Sequence, residues 1–131
     1  MSDISTSIEY PVEMKNYIEG NKQRFLDELF ELLRIPSVST DSKYKKDVWE
    51  AAKFLKEKLI EAGADIVHLY ATEGYPIVYG EKMVSPELPT ILVYGHYDVQ
   101  PADPIKLWKT PPFEPEIRNT ECMSDGNNEC C

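Results

Sequence analysis

The sequence predicts an α/β fold, with two N-terminal helices packed on a mixed β-sheet. Three observations predict it. Apolar residues recur at spacings of three and four through the first half of the chain, with charged residues between them. Short runs of β-forming residues, separated by Gly- and Pro-containing turns, follow from residue 65. The last of these, residues 90–94, is an unbroken Thr-Ile-Leu-Val-Tyr run that stops at Gly95 and then presents His96 and Asp98. An order of helix, helix, strand, strand, strand suits helices laid over a sheet, and sites in such folds lie beyond the carboxyl ends of the strands.

Residues 1–11 are polar, end at Pro11, and read as a loose leader. From about 12 to 33, Met14, Tyr17, Ile18, Phe25, Leu29, Leu32 and Leu33 mark one helical face. Gly20 weakens the middle of that helix by ~1 kcal/mol relative to alanine. Pro36 ends it, because the residue before a proline avoids the helical region. The segment 35–40 is then extended or turning.

A second helix is expected from 46 or 47 to 62, burying Val48, Ala51, Ala52, Leu55, Leu59 and Ala62. Asp47 and Glu50 lie near its positive end, where carboxylates are favourable, and Gly63 suits the left-handed position just past it. Strands are expected at 65–70, 77–81 and 90–94. His68 lies mid-strand with Tyr70, not a carboxylate, two residues on. It reads as a surface or partly buried histidine. Residues 101–118 hold five prolines, which argues for a loop. Trp108 and Phe113 in that loop are expected to pin it to the core, with a wall for a site near His96 as the second possibility.

Composition narrows the function. Hydrophobic content of 42% and charged content of 28% fit a globular chain. A net charge of −9 leaves no basic stripe for nucleic acid and no polybasic patch for an anionic membrane. No apolar run approaches the roughly 20 residues a membrane helix needs. The first residues have neither a basic start nor an apolar core, so they are not a secretory signal, and the expected location is cytoplasmic. Cys122, Cys130 and Cys131 all fall in the last ten residues, so no disulfide framework supports the body of the chain.

The chemistry centres on His96 and Asp98. A neutral imidazole binds zinc through one nitrogen and donates its other N–H to an oxygen acceptor. Residues two apart on an extended chain point the same way, so Asp98 can take that proton and fix the ring's tautomer. A histidine beside an aspartate by chance is the competing reading of the triplet alone.

With Gly95-His96-Tyr97-Asp98-Val99-Gln100-Pro101, then Trp108, then Thr110-Pro111-Pro112-Phe113-Glu114-Pro115, the chain resembles the co-catalytic di-zinc peptidases. That family includes dipeptidases, aminoacylases, acetylornithine deacetylase and succinyl-diaminopimelate desuccinylase. The Leu33 to Ser39 segment is also typical of it, and Tyr97 with Gln100-Pro101-Ala102 points to the carnosine-type and cytosolic nonspecific dipeptidases. The resemblance runs from about 15 to 119. It implies the N-terminal part of a zinc-peptidase catalytic domain, with His96 as a ligand of one zinc and Asp98 as the catalytic-site residue that orients it. It further implies two zinc ions, a small peptide substrate such as a dipeptide, and a homodimer in the full-length form.

The departure lies after residue 115. The family continues with a Gly-rich segment that carries a bridging aspartate; here the chain runs through Glu116-Ile117-Arg118 into a Cys-containing end. Asp125 is not given the bridging role. The expected organisation is a leader at 1–11, a partial catalytic domain at 12–119 and an atypical, disordered tail at 120–131. It reads as an N-terminal fragment, or a truncated or frame-shifted reading, inactive by itself. The alternative is a non-catalytic α/β binding module whose three cysteines join His96 in a Cys₃His site. No Cys-x₂-Cys spacing favours that, and adjacent cysteines at 130 and 131 make awkward ligands. Ser37 and Ser39 do not lie in a nucleophile elbow.

Overall fold

The computed structural model describes residues 11–118. The leader, apart from Pro11, and the Cys-containing tail lie outside the described residues, as do the three cysteines of the alternative reading.

Helix α1, Val12–Leu33, runs the length its periodicity predicts. The Pro11 carbonyl accepts from the Met14 and Lys15 amides, opening the first turn. The Arg34 amide closes the last turn on the Phe30 carbonyl, two residues before Pro36. No residue of α1 is fully buried. It meets the second helix at the Glu31–Lys58 ion pair, 3.7 Å apart.

A single 3₁₀ turn, Ser42–Tyr44, leads into helix α2, Lys45–Glu61. The Asp41 carboxylate accepts the Lys43 amide at 3.0 Å and caps this turn. Helix α2 buries Val48, Ala51 and Ala52. Its C-terminus behaves as Gly63 predicts: that residue has φ +84°, its amide reaches the Ile60 carbonyl, and the Ala64 amide reaches Leu59. This paired closure satisfies carbonyls that the helix leaves unbonded.

Strands β1, Ile66–Tyr70, and β2, Ile77–Glu81, form an antiparallel ladder from Ile66↔Glu81 to Tyr70↔Ile77. The hairpin's open end is tied by Asp65, whose carboxylate meets Lys82 at 2.9 Å and the Met83 amide at 2.8 Å. Strand alternation turns Val67, Leu69 and Val78 to one face, where they are half-buried under α2. Ile66, His68, Tyr70, Ile77 and Tyr79 face the other way and are exposed. His68 is the surface residue its surroundings in the sequence indicate.

Gly80 belongs to the covered face, and α2 comes down onto it. A methyl placed there would sit 2.9 Å from a Leu59 methyl carbon. Gly80→Val is therefore expected to destabilise the chain by about 1–3 kcal/mol, the usual cost of overpacking. Urea unfolding of the single variant and of Gly80→Val with Leu59→Ala checks this. The double variant should show less than the summed loss, since the smaller residue makes room.

Ala62, expected on the buried stripe of the second helix, lies just past the end of α2 and is exposed. The described sheet is antiparallel, where the sequence predicts a mixed one. Two more expectations are overturned. Residues 90–94 form no ladder; Ile91, Leu92, Val93 and Tyr94 are 83–90% exposed. The sheet among the described residues is the two-stranded hairpin, and the one further bridge is parallel, Val38 to Val99. The apolar run has the composition of a buried strand, but among the described residues it pairs with no strand and is left uncovered. Trp108, expected chiefly as a pin, is 53% exposed and bonded locally, its indole N–H donating to the Ala102 carbonyl at 2.8 Å. The fully buried hydrophobic core among the described residues is Val38, Val48, Ala51 and Ala52. No described helix is long and apolar enough to cross a membrane.

Candidate metal site

The segment after α1 and the segment after Gly95 come together. The Val99 amide donates to the Ser37 carbonyl at 3.0 Å, and the Ser37 hydroxyl donates to the Tyr97 carbonyl at 2.8 Å. Val38, between the two serines, turns the other way and is buried. Ser37 is itself buried, and its hydroxyl is fully used. Thus the Ser-Val-Ser stretch lies beside His96-Tyr97-Asp98 and sets its path.

Tyr97 is a second tie. Its hydroxyl donates to the Pro76 carbonyl at 2.5 Å, fastening the site to the hairpin's turn. Burial raises the phenol's pKa, helped by the nearby Asp98 charge and by Tyr75. The turn itself is held by Thr72, whose hydroxyl donates to the Tyr75 carbonyl at 2.7 Å and accepts the Gly74 amide at 3.0 Å.

His96 and Asp98 meet as their spacing predicts, with a refinement. Nδ1 of His96 lies 2.9 Å from the Asp98 main-chain carbonyl and 3.3 Å from the carboxylate oxygen Oδ1. The nearer acceptor is the backbone. Neither oxygen can donate, so Nδ1 carries the hydrogen and Nε2 is left with its lone pair. The imidazole is 74% exposed, so Nε2 is accessible to a metal ion. The Asp98 carboxyl is held below its usual pKa first by the Ser39 hydroxyl, 2.6 Å from Oδ2, against partial desolvation. Its own backbone N–H and the His96 ring add to the lowering. The group is an anion at neutral pH and points its charge toward the ring.

These two residues line one side of a cavity of about 760 Å³. Leu32 at the end of α1, Ile35 just beyond it, and Trp108, Phe113 and Arg118 from the proline-rich loop line it as well. Phe113 is half-buried and has φ +67° at the third position of a turn closed by Glu114 N–H to Pro111 C=O at 3.2 Å. A bulky residue in that left-handed position carries about 1–3 kcal/mol of strain. The loop is thus shaped as a wall of the cavity.

The donor chemistry fits one position of a zinc-type site: a neutral imidazole with its second nitrogen oriented by an oxygen acceptor. Among the described residues no group of three or more His, Cys, Asp or Glu side chains is placed to hold an ion. Among the described residues, His96 is thus not joined by two further such side chains. Sequence reasoning missed Ser37 and Ser39, which it weighed only as nucleophiles. Their signal is the alternation Ser-Val-Ser, which on an extended chain places two hydroxyls on one face.

No protein-family model matches the chain. Individual proteins do. It is 36% identical over 126 residues to a Cys-Gly metallodipeptidase of Candida albicans, covering 86% of this chain and 26% of that enzyme. Its fold matches a solved dipeptidase of Saccharomyces cerevisiae with a TM-score of 0.68 and 32% identity, over 74% of this chain and 22% of the other. It also matches an M20 family metallo-carboxypeptidase of Sulfolobus solfataricus with a TM-score of 0.63 and 41% identity, over 72% and 21%. The chain spans about a quarter of the length of the relatives it matches. With sequence and fold in agreement, this chain is related, over about a quarter of their length, to the Cys-Gly metallodipeptidases and to an M20 family metallo-carboxypeptidase.

Proposed function

We propose that the chain provides one metal ligand and its orienting group to a zinc-dependent dipeptidase. The observation that carries this reading is the His96–Asp98 geometry, with Nδ1 engaged and Nε2 free and accessible. A zinc ion bound there would polarise a scissile carbonyl and bring a water to ionisation near neutral pH. His96 holds the ion through Nε2. Asp98 keeps the ring in the required tautomer and turns its negative charge toward it. Tyr97 and Ser37 hold this pair in place through the hairpin turn and the Ser-Val-Ser stretch.

The relatives' names include a Cys-Gly dipeptidase, so Cys-Gly is the substrate to try first. The cavity wall formed by Trp108 and Phe113 suits the side chain of a small peptide. In this reading residues 12–119 form part of a catalytic domain, flanked by a leader at 1–11 and a Cys-containing tail at 120–131. The working enzyme would be cytoplasmic, use two zinc ions and pair as a homodimer.

The 131-residue chain by itself is expected to turn over no dipeptide, because a catalytic zinc takes three protein ligands and His96 is one. Two measurements test the reading. The purified chain with saturating Zn²⁺ and Cys-Gly should show no hydrolysis. A graft in which residues 12–118 replace the matching segment of the Candida albicans enzyme should hydrolyse Cys-Gly. A correctly folded graft that binds zinc but is inert would overturn it, and so would turnover by the isolated chain that is abolished by His96→Ala.

A further inference from the structure

We infer that Ser39 is a positioning residue for the metal ligand: its hydroxyl fixes the Asp98 carboxylate so that the other carboxylate oxygen faces Nδ1 of His96. The inference rests on the reading of His96 as a ligand, and it adds a residue to which no role has been attached.

The geometry is specific. An aspartate side chain rotates freely about its terminal torsion unless its oxygens are held. Here Oδ2 accepts the Ser39 hydroxyl at 2.6 Å, a short bond of the kind a charged acceptor makes. Oδ1 is left 3.3 Å from Nδ1 of His96. The two residues are 59 positions apart in sequence, so this is a tertiary contact built by the fold. Ser39 is in turn anchored. Its carbonyl accepts the Tyr75 hydroxyl at 2.9 Å, and Tyr75 sits in the turn that Thr72 holds. Its neighbour Val38 is fixed by burial and by the bridge to Val99. A line of hydrogen bonds therefore runs from the hairpin turn through Tyr75, Ser39 and Asp98 to the ring.

The two serines divide the work. Toward the site segment, Ser37 bonds main-chain atoms and sets its path. Ser39 bonds a side-chain oxygen and sets the carboxylate's rotation. Loss of Ser39 leaves the Asp98 carbonyl beside Nδ1 but frees the carboxylate to turn away.

The ring's tautomer reads this directly and needs no metal, so its outcome is independent of whether the graft hydrolyses dipeptides. Two-bond ¹⁵N–¹H correlation spectra of the metal-free 131-residue chain give the Nδ1–H to Nε2–H ratio of His96 at a fixed, mildly alkaline pH. In Ser39→Ala the ratio is expected to fall about fivefold, the ratio set by one ordinary hydrogen bond. Ser39→Thr, which keeps the hydroxyl, should restore it. Ser39→Cys keeps the shape but donates weakly, and should fall in the same direction; it serves as the deciding variant where the alanine chain does not fold. An unchanged ratio in a folded Ser39→Ala or Ser39→Cys chain overturns the inference. So does a threonine variant as shifted as the alanine one.

Discussion

A carboxylate in place of Val48 is expected to leave the chain unfolded, and one in place of Leu92 to leave its stability unchanged within about 0.5 kcal/mol. Val48 is 0% exposed and sits with Ala51 and Ala52 on the buried face of α2. A charge there has no partner, and the penalty for burying an ion unpaired is several kcal/mol. Domains have only about 5–15 kcal/mol in hand, and the buried core among the described residues is four side chains. Leu92 is 90% exposed, so aspartate there loses no packing. Circular dichroism and urea unfolding of Val48→Asp and Leu92→Asp check both. The pair also decides between two descriptions of residues 90–94: a strand buried on both faces would make the Leu92 variant as damaging as the Val48 one.

Loss of His96 is expected to abolish Cys-Gly hydrolysis in the graft, because a ligand position cannot be filled from solution without losing the ion's fixed geometry. Loss of Asp98 should be milder. The main-chain carbonyl at 2.9 Å still holds Nδ1, so Asp98→Ala removes the charge and one of two acceptors. Outer partners of this kind are worth about 10–100-fold in metal affinity or activity. Assays of the grafted enzyme across zinc concentrations separate the two: excess zinc should recover part of the Asp98→Ala loss and none of the His96→Ala loss.

Much of the fold is legible in the sequence because its signals are local. The period of α1, the stop before Pro36, the Gly63 closure of α2 and both strands of the hairpin each depend on residues within a few positions of one another. His96 and Asp98, two residues apart, are local in the same sense. What the sequence does not reveal is long-range. Residues 90–94 have a strand's composition, but a strand needs an edge to pair with, and composition cannot say whether one is present. The serines' roles depend on contacts across 59 and 60 positions. The nearer acceptor for His96 is a backbone carbonyl, which every residue carries and no motif marks. The size of Trp108 suggests a pin; its indole N–H instead finds a carbonyl six residues back, and the ring stays half in water beside the cavity.

In the proposed reading, His96 is a metal ligand held by Asp98 through Nδ1. The most direct test is the zinc content of the purified graft, measured by atomic emission after exhaustive dialysis, with and without His96→Ala. The graft with His96 should retain two ions per chain and the His96→Ala graft one. A His96→Ala graft that keeps both ions would contradict the assignment.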